Sequence, residues 1–215
     1  MYKRKSLFVT FEGIEGCGKT YHCRKLYKEL KKRNLSVILT REPGGTESAE
    51  KIRKVILEDY FTSDSKEKFN KYTDTLLYLA ARNEHVENII RPSISNRKII
   101  ICDRFIDSTM AYQVFGKGVS KTFVDSIHKF ILGNVNPDLT FVLKVNISKA
   151  LQRLKKRKYK NRYDKFSKKF YIKAQNAFIK IAKKNKRRYF LLDNSKDSKE
   201  TEKIIFNKFI KVLHK

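Results

Sequence analysis

The stretch that decides the fold is FVTFEGIEGCGKT, residues 8–20. Its first half is a short apolar run that predicts a β-strand, and Gly13–Thr20 matches the spacing G-x-x-x-x-G-K-[ST]. A helical pattern begins at Thr20, so the motif lies between a strand and a helix, as a phosphate-binding loop requires. Three of the eight glycines of the chain fall in this loop, where successive backbone N–H groups curl around a phosphate. The sequence therefore predicts a loop that binds the phosphates of a nucleotide.

Two side chains of the loop and one beyond it indicate the chemistry of that site. Lys19 is expected to reach the β- and γ-phosphates, and the Thr20 hydroxyl is expected to hold Mg²⁺. A further acid, Asp103, ends the apolar run Lys98–Cys102, where a carboxylate is placed to bind the magnesium ion or its water shell. The residues alone thus indicate a nucleotide-binding protein, with a kinase, a GTPase and an ATPase all open.

Further short apolar runs predict the other strands. They are nearly continuous rather than alternating, which is typical of strands covered on both faces. Helical patterns lie between them, and this alternation predicts a doubly wound α/β fold with a five-stranded parallel sheet and helices on both faces. The predicted strands are Ser6–Phe11, Ser36–Thr40, Lys98–Cys102, Leu139–Val145 and Arg188–Leu192. The predicted helices are Thr20–Lys32, Thr73–Ile90 (ending before Pro92), Phe123–Leu132 (ending at Gly133), Ser148–Lys156, Lys168–Lys184 and Lys199–Leu213.

Length and composition restrict the class of protein. The chain has 215 residues and 40% hydrophobic residues, which is enough for one globular domain over residues 1–215. No segment has the ~18 uninterrupted apolar residues of a membrane span, and Glu12 interrupts the N-terminal apolar run, unlike in a secretory signal. The three cysteines have neither the parity nor the spacing of a disulfide framework or a zinc site. These features indicate a cytoplasmic protein that has no contact with the membrane.

The net charge of +28 is the unusual feature of the composition. Residues 151–190 carry 17 Lys and Arg against a single acid, Asp164, which gives a net charge of +16. One interpretation is that the positive charge reflects the lysine-rich composition of the whole chain, with the lysines on solvated helix faces. The other is a surface that binds the backbone of nucleic acid. Arg153, Arg157 and Arg162 differ from the lysines, because a planar guanidinium suits phosphate better than a point charge does.

Three further stretches resemble one family of enzymes. They are TREPGGTESAEKIR (Thr40–Arg53), LLYLAARNEHVENIIRP (Leu76–Pro92) and DRFIDSTMAYQ (Asp103–Gln113). Together with the phosphate loop they resemble thymidylate kinase, a P-loop nucleoside-monophosphate kinase that transfers the γ-phosphate of ATP to dTMP. The resemblance runs in order from Leu7 to about Asp193. It implies ATP and dTMP as substrates, Mg²⁺ as the cofactor and a homodimer as the assembly.

The resemblance also implies roles for single residues. Glu15 corresponds to a carboxylate that faces the acceptor sugar and magnesium, and Arg53 and Arg104 correspond to arginines that hold the acceptor phosphate. Tyr78 corresponds to a ring that stacks on thymine, and Arg82 to a donor to the base edge. The implied ATP site is Gly13, Ile14, Glu15, Gly16, Cys17, Gly18, Lys19 and Thr20. The implied dTMP site is Glu42, Arg53, Tyr78, Arg82, Arg104, Ser108, Thr109, Tyr112 and Gln113, and the implied metal ligands are Thr20, Asp103 and Glu15.

The basic segment gains a role from the same resemblance. Residues 151–166 resemble the helical lid of the bacterial-type enzymes, in which the phosphate loop has no arginine and the lid supplies one to the transferring phosphoryl group. This loop also has no arginine between Gly13 and Lys19. The lid departs from the usual family pattern at Asn161 and Asp164, and Gln175 stands where an arginine is common. The implied catalytic residues are Lys19, Glu15, Arg104, Arg153 and Arg162.

Two other functions remain open at this point. One is a related P-loop kinase with another nucleotide or nucleoside as its acceptor. The other is a basic nucleic-acid-binding NTPase, although no RNA-binding motif string is present. We expect nucleic-acid binding to be non-specific and to arise from the excess positive charge. His22, His85 and His128 have no partner that the sequence identifies, and are expected to be structural or surface residues.

Overall fold

The computed structural model describes residues 6–57, 69–156, 162–195 and 199–214. Its centre is a parallel sheet with the strand order β2-β3-β1-β4-β5, which confirms the predicted α/β class. Because β1 pairs with β3 on one side and β4 on the other, the loop that follows it opens at the middle of the carboxyl edge. The strands are β1 (Leu7–Glu12), β2 (Val37–Arg41), β3 (Ile99–Asp103), β4 (Leu139–Lys144) and β5 (Tyr189–Asp193).

The polar ends of the strands differ from the prediction. β1 continues through Glu12, β3 through Asp103 and β5 through Asp193, each one residue beyond the apolar run. The prediction ended each strand at its last apolar residue, whereas the ladder continues into the acids, as in the pairing of Phe11 with Asp103. The acids of the candidate site are therefore attached to the sheet rather than to loops.

Helices cover both faces of the sheet. Neighbouring residues of β1 belong to separate cores, since Val9 packs in the core that contains Leu30, and Phe8 in the core that contains Leu79 and Leu132. The sequence analysis predicted neither α2 nor α5. The described helices are α1 (Lys19–Lys32), α2 (Glu47–Leu57), α3 (Lys71–His85), α4 (Arg91–Ser95), α5 (Ile106–Thr109), α6 (Lys121–Leu132), α7 (Ile147–Lys155), α8 (Lys168–Lys184) and α9 (Lys199–Leu213). In the described ranges, no helix has the length and apolar character needed to cross a membrane.

The prediction that a helix ends before Pro92 is wrong. α3 is followed by a π-helical turn, Val86–Ile90, and then by α4, in which Pro92 occupies the first turn. Proline is tolerated there because N–H groups of a first turn need no partner within the helix. A second π-helical segment, Met110–Gly116, follows α5 and carries Tyr112 and Gln113. Turns of this kind frequently occur at functional sites.

Candidate active site

The phosphate loop has the backbone geometry that its glycines predict. Gly13, Gly16 and Gly18 all have positive φ angles, of 139°, 72° and 95°. A side chain at Gly16 would collide with α7, because a Cβ atom there would lie 2.7 Å from the carbonyl oxygen of Ala150. Only glycine therefore fits at this position without moving the neighbouring helix.

Two cations bind carbonyl groups of the loop. Nζ of Lys19 donates to the carbonyl oxygen of Ile14 at 2.7 Å. Nη1 of Arg153, on α7, donates to the carbonyl oxygen of Gly16 at 2.9 Å, although 137 positions separate the two residues. The structure thus brings two of the predicted catalytic residues to the same loop, where their charges can act on bound phosphate.

A hydrogen-bonded pair that the sequence analysis missed also holds the loop. Nδ2 of Asn194 donates to the carbonyl oxygen of Cys17 at 2.8 Å, and its Oδ1 lies 3.1 Å from Nε2 of His22. His22 is buried, so a structural role is the correct one of the two alternatives for it. The available signal for Asn194 was its position directly after a strand of the parallel sheet, at the edge where the loop opens.

The predicted magnesium ligands Thr20 and Asp103 are adjacent. The Thr20 hydroxyl donates a hydrogen bond to Oδ2 of Asp103, which joins the start of α1 to the end of β3. Mg²⁺ takes hard oxygen ligands and is usually bound through one or two carboxylates, phosphate oxygens and several waters. The pair fits that chemistry. Within the described ranges, no group of three or more His, Cys, Asp or Glu side chains could hold a metal ion by itself.

Glu15 connects the loop to the predicted acceptor residues. Its Oε1 accepts from Nη2 of Arg104 at 2.9 Å, and its Oε2 accepts from the hydroxyl of Tyr112 at 2.5 Å. Burial acts to raise the pKa of Glu15, but the charges of Arg104 and Lys19 outweigh it, so that the pKa lies below its ordinary value. Glu15 is therefore ionised at neutral pH and sits between the two predicted substrate sites.

Arg104 adopts a backbone conformation that few side chains adopt. Its φ angle is 75°, in the left-handed region. Its Nη1 donates to the carbonyl oxygen of Gly13 at 2.9 Å and to Oγ of Ser108 at 3.1 Å. Glu12 holds the residues that follow, since it accepts from the backbone N–H of Phe105 at 2.7 Å and from the Ser108 hydroxyl at 2.6 Å. These hydrogen bonds hold Arg104 in its strained backbone conformation, and strained residues held in this way are common at functional sites.

Glu12 is a site residue that the sequence analysis missed. It is fully buried at the end of β1, where burial and the nearby charge of Asp107 raise its pKa to about 8. Asp107 is also buried, which raises its pKa, although Nη2 of Arg188 donates to it at 2.8 Å. The sequence feature that could have identified Glu12 is an acid at the end of an apolar strand. The sequence analysis took this acid only as evidence against a secretory signal peptide.

A buried ion network holds Arg82, the predicted base-edge donor on α3. Its Nε donates to Oε2 of Glu42 at 2.8 Å, and Oε1 of Glu42 lies 2.9 Å from Nδ1 of His85. Burial acts to raise the pKa of Glu42, but the charge of Arg82 and the contact with His85 lower it below its ordinary value. Glu42 was predicted to bind dTMP, and here both of its carboxylate oxygens are engaged by protein side chains. In this structure Glu42 orients Arg82, and its assignment to the dTMP site stays a prediction.

One cavity of about 420 Å³ at the carboxyl edge of the sheet connects these groups. Its volume lies in the range of small-molecule sites. Arg53 lines it from α2 and donates from Nη1 to the carbonyl oxygen of Pro43 at 2.5 Å. Every residue of the predicted dTMP site lines this cavity. The predicted site residues found there are Glu15, Lys19, Thr20, Glu42, Arg53, Tyr78, Arg82, Asp103, Arg104, Ser108, Thr109, Tyr112 and Gln113.

Tyr163 also lines the cavity and was not predicted. Its ring is buried and stands edge-on to Tyr78, with the ring centroids 6.3 Å apart, and to Tyr112, at 5.8 Å. The available signal was an aromatic residue in an otherwise basic segment. Tyr163 brings the lid segment into contact with the predicted base and sugar side of the cavity.

The predicted lid arginines lie in different places. Arg153 contacts the phosphate loop, whereas Arg162 is paired with Asp74 of α3. Asp74 is a buried carboxylate that also accepts from Nζ of Lys117 at 2.6 Å. Of the lid arginines in the described residues, Arg153 is thus the one beside the loop. Residues 157–161 of the lid, with the predicted positions Arg157 and Asn161, lie outside the described residues, as do the side chains of Asp164 and Lys165.

Comparison with known proteins covers nearly the whole chain. The family model described as thymidylate kinase matches residues 11–205. A thymidylate kinase of Mycoplasma capricolum is 37% identical over 96% of this chain and 94% of that protein, and one of Halothermothrix orenii is 36% identical over 95% and 96%. The crystal structure of a thymidylate kinase from Ehrlichia chaffeensis matches with a TM-score of 0.72 at 33% identity, covering 97% of this chain and 99% of that one. Because the phosphate loop and the predicted acceptor and lid residues all lie inside these matches, the chain belongs to the thymidylate kinase family.

Proposed function

We propose that this protein transfers the γ-phosphate of ATP to dTMP, giving ADP and dTDP. The observation that carries the proposal is the Glu15–Arg104 pair, because it joins the phosphate loop to a cavity lined by every residue of the predicted dTMP site. A donor site and an acceptor site that share one cavity favour direct transfer between two bound nucleotides. No covalent intermediate on the protein is needed, and catalysis rests on positioning and electrostatics.

The charged residues have separate roles in this mechanism. Lys19 and Arg153 stabilise the charge that develops on the transferring phosphoryl group, since both lie at the loop that would hold it. Arg104 and Arg53 hold the phosphate of dTMP, a task for which a planar guanidinium is suited. Arg162, whose charge is taken up by Asp74, is left to hold the lid segment rather than the phosphate.

The aromatic residues are proposed to recognise the base and the sugar. Tyr78 stacks on thymine, and Tyr163 closes the same side of the cavity. Tyr112, fixed by its hydrogen bond to Glu15, occupies the space beside C2′ of the sugar, where it disfavours a ribose hydroxyl. Ser108, Thr109 and Gln113 line the remaining base and sugar side.

Magnesium is proposed to bind at Thr20 and Asp103. The two oxygen donors are in contact with one another at the start of α1 and the end of β3, beside the loop. Thr20 and Asp103 would hold the ion, which would supply charge neutralisation to the phosphate groups of ATP. Glu15, the third predicted ligand, accepts hydrogen bonds from Arg104 and Tyr112 in this structure.

We also propose that the chain forms one kinase domain with its lid at residues 151–166. The protein is proposed to be cytoplasmic and to form a homodimer. Leu76 is 47% exposed on α3 and Phe130 is 86% exposed on α6, and because these two helices pack against each other, they support a second copy of the chain as the partner of this face. Sedimentation at several protein concentrations tests the dimer.

Binding to nucleic acid is proposed to be non-specific, since the net charge alone provides such binding at low salt.

A coupled assay of ADP release tests the proposed function. The wild-type protein is supplied with ATP, Mg²⁺ and, in separate reactions, dTMP, dUMP, UMP or single-stranded DNA at about 150 mM salt. We expect release that depends on dTMP, is weaker with dUMP and weaker again with UMP, and is unchanged by DNA. Hydrolysis of ATP that depends on DNA and not on dTMP would contradict the proposal.

A further inference from the structure

The guanidinium of Arg82 is almost fully occupied by protein partners. Nε donates to Glu42, Nη1 donates to Oγ1 of Thr109 at 2.8 Å, and Nη2 donates to the carbonyl oxygen of Phe105 at 3.1 Å. Nη1 also lies 2.6 Å from Nε2 of His128, a residue of α6 that the proposed mechanism does not use. The side chain of Arg82 is 2% exposed, so these contacts fix its plane within the core.

His128 must be the acceptor in its contact with Arg82. A guanidinium has donors only, so Nε2 of the imidazole cannot carry a proton and a neutral ring holds its proton on Nδ1. Burial and the charge of Arg82 both act in the same direction, lowering the pKa of His128 to about 3. His128 is thus a neutral acceptor at any pH at which the enzyme would work.

The four contacts leave a single donor for a substrate. A guanidinium has five N–H groups, and one of them, on Nη2, is not used by Glu42, Thr109, His128 or Phe105. Because Arg82 lines the acceptor cavity, this N–H is the one that remains for a ligand bound there. A single fixed donor favours a carbonyl oxygen on the base edge and opposes an amino group at the same position. Without His128, Nη1 would gain an unused N–H and the guanidinium plane would lose one of its fixed partners.

We propose that His128 is a positioning residue for the base selectivity of the acceptor site, because its contact with Nη1 helps to fix the guanidinium plane of Arg82 and so the direction of the one N–H left for the base. The inference rests on the proposed function, since it takes a pyrimidine monophosphate as the acceptor. It assigns to α6, through a buried imidazole, the discrimination between a carbonyl group and an amino group at position 4 of the pyrimidine.

The test compares kcat/KM for dTMP with kcat/KM for dCMP in full-length variants. His128→Leu keeps an apolar side chain of similar volume and removes the acceptor, and we expect the dTMP-to-dCMP ratio to fall about tenfold, the effect of one misplaced hydrogen bond. The fall should come mainly from a higher KM for dTMP, with KM for ATP unchanged. His128→Gln places an acceptor oxygen as many bonds from the backbone as Nε2, and should restore the ratio to within about twofold.

Two controls separate positioning from packing. Ile131→Ala, one turn along α6, removes buried volume and should lower Tm while it leaves the ratio at its wild-type value. If His128→Leu does not fold, His128→Asn takes its place, because its acceptor is one bond too short to reach Arg82. The inference would be overturned if the dTMP-to-dCMP ratio of His128→Leu (or its replacement His128→Asn) equalled that of wild type. It would also be overturned if His128→Leu and His128→Gln had equal ratios, and neither result would affect the proposed function. A wild-type protein that does not phosphorylate dTMP would overturn the proposed function as well.

Discussion

The two halves of the cavity are built in different ways. The phosphate half is eight consecutive residues, Gly13–Thr20, shaped by glycines and held through backbone carbonyl groups. The acceptor half is made of side chains from separate elements, with Glu42 and Arg82 40 positions apart and Arg82 and Thr109 27 positions apart. A phosphate site can be encoded locally, because main-chain amides recognise any phosphate. A base and a sugar need shapes and charges that only the assembled fold brings together.

The halves also differ in their use of buried charge. The side chains of Glu42 and Arg82 are 3% and 2% exposed, and removal of one partner from such a pair costs about 3–5 kcal/mol because the other charge is left uncompensated. In the phosphate half, Lys19 donates to the carbonyl oxygen of Ile14, and Arg153 donates to the carbonyl oxygen of Gly16. Substitutions in the phosphate half should therefore change the rate with little change in stability, whereas those in the acceptor half should change both.

The largest effect is expected for Lys19→Ala, which tests the phosphate half directly. Its charge acts on oxygens whose charge shifts during transfer, so its loss should lower kcat by about 10³-fold or more. Far-UV circular dichroism and Tm should stay close to wild type. Lys28→Ala, an exposed lysine of the same helix, is the matched control and should be fully active. Near-normal turnover in a folded Lys19→Ala protein would remove the basis of the phosphate-site assignment.

The next effect compares the two described lid arginines. Arg153→Ala should lower kcat about 10³-fold, the lower end of what removal of an arginine at the transferring phosphoryl group does. Arg162→Ala should leave kcat within about tenfold of wild type and instead raise KM for dTMP and lower Tm, since it leaves the buried Asp74 with Lys117 as its cation. Single-turnover kinetics separates the two outcomes. The opposite pattern, with the larger loss of kcat in Arg162→Ala, would show that Arg162 leaves Asp74 to act at the phosphate.

The same contrast explains how much the sequence could predict. The phosphate loop was predicted residue by residue, because its signal is a fixed local spacing that lies between a strand and a helix. The parallel sheet was predicted for a similar reason, since continuous apolar runs such as Lys98–Cys102 indicate buried strands. Strand ends were less accurate, because Glu12 and Asp103 are polar and yet remain in the ladder.

The residues that the sequence did not reveal depend on distant partners. Asn194 acts on a carbonyl group 177 positions away, Glu12 on a backbone amide 93 positions away, and His128 on a side chain 46 positions away. No local spacing encodes such pairs. The acceptor residues that were predicted, Tyr78 and Tyr112 among them, came from the family resemblance, and without it the favoured interpretation of both was a core aromatic on a helix.

A smaller effect is expected at Tyr112, which tests whether the acceptor half reads the sugar. If its ring occupies the space beside C2′, a ribonucleotide must displace it or leave a hydroxyl unpaired, at about 1–3 kcal/mol. Tyr112→Ala should therefore narrow the ratio of kcat/KM between dUMP and UMP by roughly 5- to 150-fold. The comparison of dUMP with UMP isolates the 2′-hydroxyl from the thymine methyl. Tyr112→Phe keeps the ring and loses only the bond to Glu15, so it should retain most of the ratio.

The smallest effect concerns stability and tests the buried charge of the acceptor half. Burial and the charge of Asp107 raise the pKa of Glu12 from 4.5 to about 8. The folded protein therefore keeps the Glu12 proton at a pH at which the unfolded chain has lost it, and a rise in pH through this range favours the unfolded chain. The stability that this proton provides is fully present below pH 4.5 and is lost by about pH 8.

The pH window decides whether this effect can be seen. The folded pKa of His128 is about 3 and its ordinary value is 6.5, so between these two pH values His128 binds a proton in the unfolded chain only. The stability of the folded protein therefore rises with pH in this range, which is opposite to the effect of Glu12. Lys117, with its pKa lowered to about 8, adds a rise only above that value. Between pH 6.5 and 8 the Glu12 slope therefore stands alone among these groups. Tm should fall in that window by about 2–4 °C per kcal/mol lost, and Glu12→Gln, which has no proton to lose, should flatten the slope whatever its absolute Tm. An equal slope in both proteins would show that Glu12 is ionised in the fold, and that the acceptor half tolerates its charge as the phosphate half does.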